Sequence, residues 1–402
     1  LYDAMQDEQF SKALLRLAGS TKKVKGRRVV LSSGNFPGSR RLAKATTDAP
    51  VRMGGLEQTN TSVFFGEDLM LKLFRKVEAG PNPEVEVGRF LTKGAKFPHT
   101  PETKALVEVE VDGEASALAF FQEFVPAQAN AFDHFYDNAL ITLETIAAKL
   151  GEVGDPPKRS HPLDVTERQL EAGRELMGPL MVDARLLGQR TGELHLALAS
   201  DPTHPTFGTQ PISTLQLRSL YQAIRSTVRT SVGLLKRRRA HLPDDDAELV
   251  NELIEAEGDL LAHIKEVMSA RVEVDRIRIH GDYHLGQVLY TGKDFIIIDF
   301  EGEPQRPLSE RRLKRLALRD VAGMVRSFNY AMLMALQQVS DQGPGEEGKE
   351  FLAEWAQSLH RLLAAEFLNG YLKAVDGAWI EPTDIEKTRK LLDALIVEQA
   401  GY

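Results

Sequence analysis

One short segment, residues 279–287, combines residue types that suit phosphoryl transfer. Asp282 lies in a predicted loop between short strands, Gln287 follows it closely, and Asp299 ends the apolar run 295–298. Phosphoryl transfer needs a carboxylate to orient the attacking hydroxyl and accept its proton, and ligands for Mg²⁺. Mg²⁺ prefers oxygen ligands, so a carboxylate and an amide oxygen suit it. The sequence therefore predicts Asp282 as the catalytic base and Gln287 and Asp299 as Mg²⁺ ligands.

Single aspartates in loops are usually structural, so the surroundings of Asp282 and Asp299 decide between the two interpretations. Asp299 ends a buried strand next to Glu301 and Glu303, and such clustered carboxylates are costly without a cation. The spacing around Asp282 also resembles the His-x-Asp-x-x-x-x-Asn catalytic loop of kinases, with Gln287 at the Asn position. Asp299 resembles the metal-binding Asp of Asp-Phe-Gly. These agreements favour the catalytic interpretation.

A lysine on an apolar strand face indicates where the nucleotide phosphates would bind. Lys72 alternates with Met70 and Phe74, and a lysine in such a place requires a carboxylate or phosphate partner. Glu84 and Glu86 open the next predicted helix, where acidic residues alone could simply complement the helix dipole. Because the sequence also contains the predicted catalytic loop, we favour Lys72 as the α/β-phosphate ligand, paired with Glu86.

Two further segments are predicted to contact ATP. The segment 57–62 links two predicted strands and contains no glycine, so hydroxyl and amide groups would have to hold the phosphates. A polar hairpin turn is an equal alternative for this segment. Glu123 and Val125 lie at the predicted lobe junction, where backbone groups would meet the adenine. The predicted phosphate-covering residues are Gln58, Thr59, Asn60, Thr61 and Ser62.

The elements around these residues predict an α+β, bilobal, protein-kinase-like fold. The N-lobe would be a small antiparallel sheet made of hairpins that turn at 66–68 and 112–113, with one helix that Asn82 caps and Pro83 begins. The C-lobe would be mainly helical, with helices such as 185–199 and 246–268. We predict a cap remnant at 1–50, an N-lobe at 51–126, and a C-lobe at 127–402 that carries the catalytic loop and the sugar site.

Composition restricts the class of protein further. The chain has 402 residues, no cysteine and a formal net charge of −8. Absence of cysteine excludes disulfides and suggests a reducing, cytoplasmic location. The negative charge argues against nucleic acid as a partner, and the apolar runs are too short for a membrane span.

Three motifs together resemble the bacterial maltokinases. They are His280–Leu289, Ile298–Pro304 and Leu318–Phe328, and the upstream segments around Lys72 and Glu86 agree with them. The resemblance spans nearly the whole chain and implies a fold close to that of aminoglycoside and choline kinases. It implies transfer of the ATP γ-phosphate to the anomeric hydroxyl of maltose, which would give maltose 1-phosphate for α-glucan and glycogen synthesis.

The resemblance also implies roles, cofactors and partners. ATP and Mg²⁺ would be the cofactors, and maltose the substrate. A trehalose synthase domain could be fused to the module or form a complex with it. His280, Arg319, Asp320 and Tyr371 would lie at the sugar cleft. His195 is instead predicted to be a packing histidine.

Further expectations concern the ends of the chain and the alternative functions. The family carries a longer N-terminal cap and a continuing C-terminal helix, so we expect this chain to be an excerpt of a larger protein. One alternative is a kinase for another acceptor, such as a different disaccharide or an aminoglycoside. The other is a non-catalytic, kinase-like module of a trehalose synthase fusion.

Overall fold

The computed structural model describes residues 3–34, 36–46, 48–56, 60–150, 152–269, 272–341, 345–382 and 384–401. Its contacts divide the chain into two compact units. Unit 1 comprises residues 1–129 and 289–313, and unit 2 comprises residues 130–288 and 314–402. The predicted division at 50 and 126 stays a prediction. Residues 289–313 belong to unit 1, although the residues that flank them in sequence belong to unit 2.

The strands in the described part of the chain are β1 Val24–Lys25, β2 Val29–Ser33, β3 Val51–Leu56, β4 Asn60–Phe65, β5 Leu69–Phe74, β6 Thr103–Val111, β7 Glu114–Glu123, β8 Ala129–Asn130, β9 Gln210–Pro211, β10 Asp275–Arg276, β11 Val288–Tyr290 and β12 Phe295–Ile297.

The α-helices in the same residues are α1 Glu8–Ala18, α2 Ser39–Thr46, α3 Pro83–Arg89, α4 Ala131–Ala148, α5 Glu167–Met177, α6 Pro179–Leu198, α7 Thr214–Arg238, α8 Asp244–Glu255, α9 Glu257–Ser269, α10 Leu308–Arg311, α11 Leu318–Ser340, α12 Glu346–Ala374 and α13 Ile385–Ala400.

Unit 1 is built on a seven-stranded antiparallel sheet in the order β1-β2-β6-β7-β5-β4-β3. Both predicted hairpins, β4–β5 and β6–β7, are confirmed. The second turns at Asp112 and Gly113, whose φ values of 51° and 87° suit a tight hairpin turn. One face of the sheet packs its buried apolar side chains on α1. Strands β1 and β2 extend the sheet into residues 1–50, the predicted cap remnant.

Helix α3 begins as its sequence predicts. The Asn82 side chain accepts hydrogen bonds from the backbone N–H groups of Glu84 (2.9 Å) and Val85 (3.3 Å), and Pro83 occupies the first turn. The chain continues as a π-helix, Phe90–Ala95, and leaves it at Lys96 with φ 56°.

Unit 2 is mainly helical, and its closest helix pair is α6 and α12. A Cβ on Gly188 would lie 1.9 Å from the Phe367 carbonyl oxygen, and one on Gly370 would lie 2.0 Å from that of Arg185. Glycine at both positions therefore permits backbone contact between the two helices. The predicted helix over 246–268 is wrong in one respect, because the chain divides it into α8 and α9 at Ala256.

The antiparallel sheet of one unit and the helices of the other confirm the predicted α+β class. Among the described residues, no helix is both long enough and apolar enough to cross a membrane.

Candidate active site

The predicted catalytic loop is held by a buried carboxylate at the start of α11. Asp320 is 2% exposed and accepts hydrogen bonds from the backbone N–H groups of His280 (2.8 Å) and Gly281 (3.0 Å). Burial raises the pKa of Asp320, but hydrogen bonding and the charges of His195 and His280 lower it more, so its pKa lies below the usual value. An ionised Asp320 thus fixes the backbone immediately before Asp282.

A chain of buried polar side chains continues from Asp320. His195 contacts Asp320 through Nε2 (3.2 Å) and the Tyr371 hydroxyl through Nδ1 (3.1 Å). Tyr371 donates to Glu381 Oε1 at 2.6 Å. Burial raises the pKa of Glu381 to about 8, although the Tyr371 hydrogen bond lowers it. The pKa of Tyr371 also lies well above its usual value because it is buried beside the Glu381 carboxylate.

These contacts bear on the predicted sugar cleft, which stays a prediction. Tyr371 is 0% exposed, Asp320 2% and His280 2%, so their side chains lie in the interior of unit 2. Arg319 is also buried and pairs with Glu398 at 3.4 Å. Sequence motifs placed these residues near the catalytic loop but did not reveal that they face inward. Their arrangement supports the loop instead of forming an open surface.

Asp282 precedes a short 3₁₀ turn, Gln287 is the last residue of that turn, and both residues are half-buried. The Asp282 N–H donates to His280 Nδ1 at 3.4 Å, and Gly281 before it takes a φ of 86°. Gln287 ends the turn Leu285–Gln287, whose first N–H donates to Ser327 Oγ at 3.1 Å. Both predicted residues therefore lie on one anchored loop of unit 2.

Lys72 is the centre of the charged cluster in unit 1. It lies on β5, is 3% exposed, and contacts carboxylate oxygens of Glu84 (2.8 Å), Asp299 (2.6 Å) and Glu301 (2.7 Å). Burial lowers the pKa of Lys72, but these three carboxylates raise it more, so its pKa lies well above the usual value. The amine is thus a fixed cation, as a phosphate ligand should be.

The predicted partner of Lys72 was wrong. Glu84, not Glu86, forms the ion pair, and Glu86 binds Arg312 instead. Residues two apart on a helix point about 200° apart, so only one of these glutamates can face the sheet. Packing turns Glu84 inward. The sequence showed both acids in the first turn but not which of them faced the lysine.

Asp299 combines a backbone conformation and a charge environment that are typical of functional residues. Its φ of 66° is left-handed, a conformation that residues other than glycine adopt mainly where surroundings impose it. One oxygen of each of Glu84, Asp299 and Glu301 lies within 4.8 Å of the others. Burial and the other two carboxylates raise the pKa of Glu84 well above its usual value, although Lys72 lowers it. This all-oxygen donor set fits a hard divalent cation; Glu301 was not among the predicted ligands.

The other predicted nucleotide contacts have mixed outcomes. Asn60, Thr61 and Ser62 begin β4 as buried residues, and Asn60 donates to Glu301. They are therefore strand residues, and their contact with the phosphates stays a prediction. Gln58 and Thr59 lie outside the described residues. Glu123 ends β7 and Val125 follows it, and their contact with adenine stays a prediction.

Glucosamine kinases are among the proteins of similar sequence. No protein-family model matches the chain. It is 22% identical to a glucosamine kinase from Streptacidiphilus jiangxiensis over 79% of its length, and 25% identical to one from Mycolicibacterium smegmatis over 70%. It covers 64% and 59% of these relatives, respectively, so it spans less than two thirds of either.

Solved structures agree at the level of the fold. A glucosamine kinase bound to glucosamine, ADP and inorganic phosphate matches with a TM-score of 0.63 and 19% identity, over 99% of this chain and 77% of that one. A second crystal form of glucosamine kinase gives the same TM-score, at 18% identity. The protein-kinase-like fold class is thereby confirmed.

The similar sequences and structures named above are those of kinases. They do not distinguish maltose from another sugar acceptor.

Proposed function

We propose that this protein is an ATP- and Mg²⁺-dependent sugar kinase. The observation that carries the proposal is Lys72, a buried cation whose amine contacts both Glu84 on α3 and Asp299 after β12. The sequence independently predicted the lysine as a phosphate ligand and Asp299 as a Mg²⁺ ligand. The named relatives are kinases, and one related structure contains ADP.

Unit 1 would hold the nucleotide. Lys72 would bind the α/β-phosphates, and Asp299, with Glu301 beside it, would hold the Mg²⁺ that neutralises them. Gln287 stays a predicted Mg²⁺ ligand. Since three carboxylates surround one lysine, the cluster carries excess negative charge. A bound cation would relieve this repulsion.

Asp282 would act as the base. It would accept a hydrogen bond from the attacking sugar hydroxyl and take its proton as the bond to the γ-phosphorus forms and the bond to the ADP oxygen breaks. The Asp320 anchor on His280 and Gly281 fixes the loop backbone that presents Asp282. Fixed geometry of this kind is the main contribution a protein makes to phosphoryl transfer.

Two acceptors are proposed. Maltose, phosphorylated at its anomeric hydroxyl, follows from the sequence resemblance. Glucosamine is the second candidate, because both named curated relatives are glucosamine kinases. ADP release should be measured with maltose, glucosamine, glucose, trehalose and kanamycin, and phosphorus NMR of the product should identify the modified hydroxyl. A preference for maltose supports the first acceptor, and a preference for glucosamine replaces it with the second.

The catalytic role of Asp282 has its own test. Asp282→Asn should lower turnover by about 10²- to 10⁴-fold, the usual contribution of a general base, while MgADP affinity stays near that of the parent. Asp376→Asn, at an exposed loop position of the same unit, is the matched control and should retain turnover. A parent protein that binds MgADP but phosphorylates no acceptor would favour the non-catalytic module instead.

A further inference from the structure

Helix α3 carries two acidic residues that are paired on opposite faces of the helix. On one face Glu84 is 3% exposed and contacts Lys72. On the other, Glu86 accepts two hydrogen bonds from Arg312, from Nε at 3.1 Å and from Nη2 at 2.8 Å. Two-pronged arginine–carboxylate pairs fix orientation as well as distance. Helix α3 therefore connects Lys72 with Arg312 within unit 1.

Arg312 follows a segment, after the predicted metal-binding Asp299, that is held by contacts of Arg306 and Arg311. Arg306 donates to Glu303, and the Arg306 carbonyl oxygen accepts from Arg311 Nε at 2.8 Å. Arg311 also contacts Glu78 at 2.6 Å. These contacts tie the segment 303–312 to itself and to the loop that leads into α3.

These contacts connect the charged residues around Lys72 in a closed series. It runs from Asp299 along the chain to Arg312, across to Glu86, through α3 to Glu84, and through Lys72 back to Asp299. Helix α3 and the π-helix that continues it end at Ala95, and a helix this short is marginal without tertiary contacts. Its placement therefore depends on the contacts it makes on each face.

We infer that Arg312 is a positioning residue for nucleotide binding, which acts by holding α3 so that Glu84 orients Lys72. The inference rests on the proposed function, because Lys72 is taken as the phosphate ligand. In the described part of the chain, Arg312 forms its ion pair with Glu86 and none with the carboxylates around Lys72, so its effect would pass through Glu86 and the helix.

The Arg312–Glu86 ion pair is partly exposed, so its effect on nucleotide binding can be measured separately from its effect on the stability of the fold. The side chains of Arg312 and Glu86 are 31% and 18% exposed, and partly exposed ion pairs contribute little to stability. A substitution should therefore disturb the orientation of α3 more than the stability of the fold. Supporting residues around functional ligands typically change affinity about 10- to 100-fold when altered.

The test is a charge exchange. Glu86→Arg, Arg312→Glu and the double variant should be compared with the parent for MgADP affinity by calorimetry, for the KM for MgATP where turnover is detected, and for the melting temperature. We expect each single variant to weaken MgADP binding about 10- to 100-fold, and the double variant to recover most of the loss. All melting temperatures should stay within about 2 °C of the parent. Glu8→Gln, which removes the α1 pair with Lys12 in the same unit, should bind MgADP like the parent.

Several results would overturn the inference. Single variants that bind MgADP as well as the parent would refute it, and so would a double variant that recovers nothing. A melting temperature that falls in parallel with affinity would assign the pair to fold stability instead. A parent protein that binds no MgADP would refute the proposed function as well, whereas a parent that binds MgADP but transfers no phosphate would refute only catalysis.

Discussion

Glu381 provides a quantitative prediction about stability and pH. Its carboxyl group is fully buried, and burial raises its pKa from 4.5 to about 8. The folded protein therefore keeps a proton on Glu381 at pH values where the unfolded chain has lost it. This contribution to stability is fully present below about pH 4.5 and declines as the pH rises towards 8. At about 1.4 kcal/mol per pKa unit, the decline has an upper limit of about 5 kcal/mol.

Glu381→Gln removes the titrating group and keeps an oxygen that can accept the Tyr371 hydrogen bond. We expect the variant to gain stability relative to the parent as the pH rises from 5 to 8, by a few kcal/mol at most. The free energy of unfolding should be measured in urea at several pH values across this range. The difference between the two proteins isolates Glu381, because all other titrating groups are shared.

The matched control is Glu386→Gln, which alters a carboxylate whose side chain is 61% exposed. Its stability should follow that of the parent at every pH. If the parent and Glu381→Gln curves run parallel from pH 5 to 8, the reasoning that burial holds the Glu381 proton is wrong.

Two other predictions concern packing and the loop anchor. Asp320→Asn would bring an amide donor towards N–H groups that now donate to a carboxylate. We therefore expect the free energy of unfolding in urea to fall by about 3 kcal/mol, and turnover to fall as well. Unchanged stability would show that Asp320 is not the anchor. Gly370→Ala would place a Cβ 2.0 Å from the Arg185 carbonyl oxygen, so α6 and α12 must separate at a cost of about 1–3 kcal/mol. Gly258→Ala, where a Cβ meets open space in α9, is its control, and equal melting temperatures for the two would contradict the packing argument.

Local sequence patterns predicted the elements near the site well. The β4–β5 and β6–β7 hairpins follow from apolar alternation and turn residues, and the start of α3 follows from Asn82 and Pro83. These features depend on residues close together in the chain. The break between α8 and α9 was missed because the apolar periodicity continues across Ala256.

The residues of the candidate site were also predicted in part from local sequence. The sequence by itself determined the loop with Asp282 and Gln287, the lysine at position 72, and Asp299 at the end of a strand. It also indicated that an acid in the first turn of α3 would pair with Lys72. Each of these follows from residue type and short spacing.

Only the tertiary structure decided which groups meet. The rotation of α3 against the sheet selects Glu84 for Lys72 and leaves Glu86 for Arg312. Burial places Tyr371 in a hydrogen-bonded chain with His195 and Glu381, where the sequence had predicted a sugar contact. The physical reason is that partners far apart in the chain are chosen by how whole elements pack, and no local pattern records the direction in which a packed side chain points.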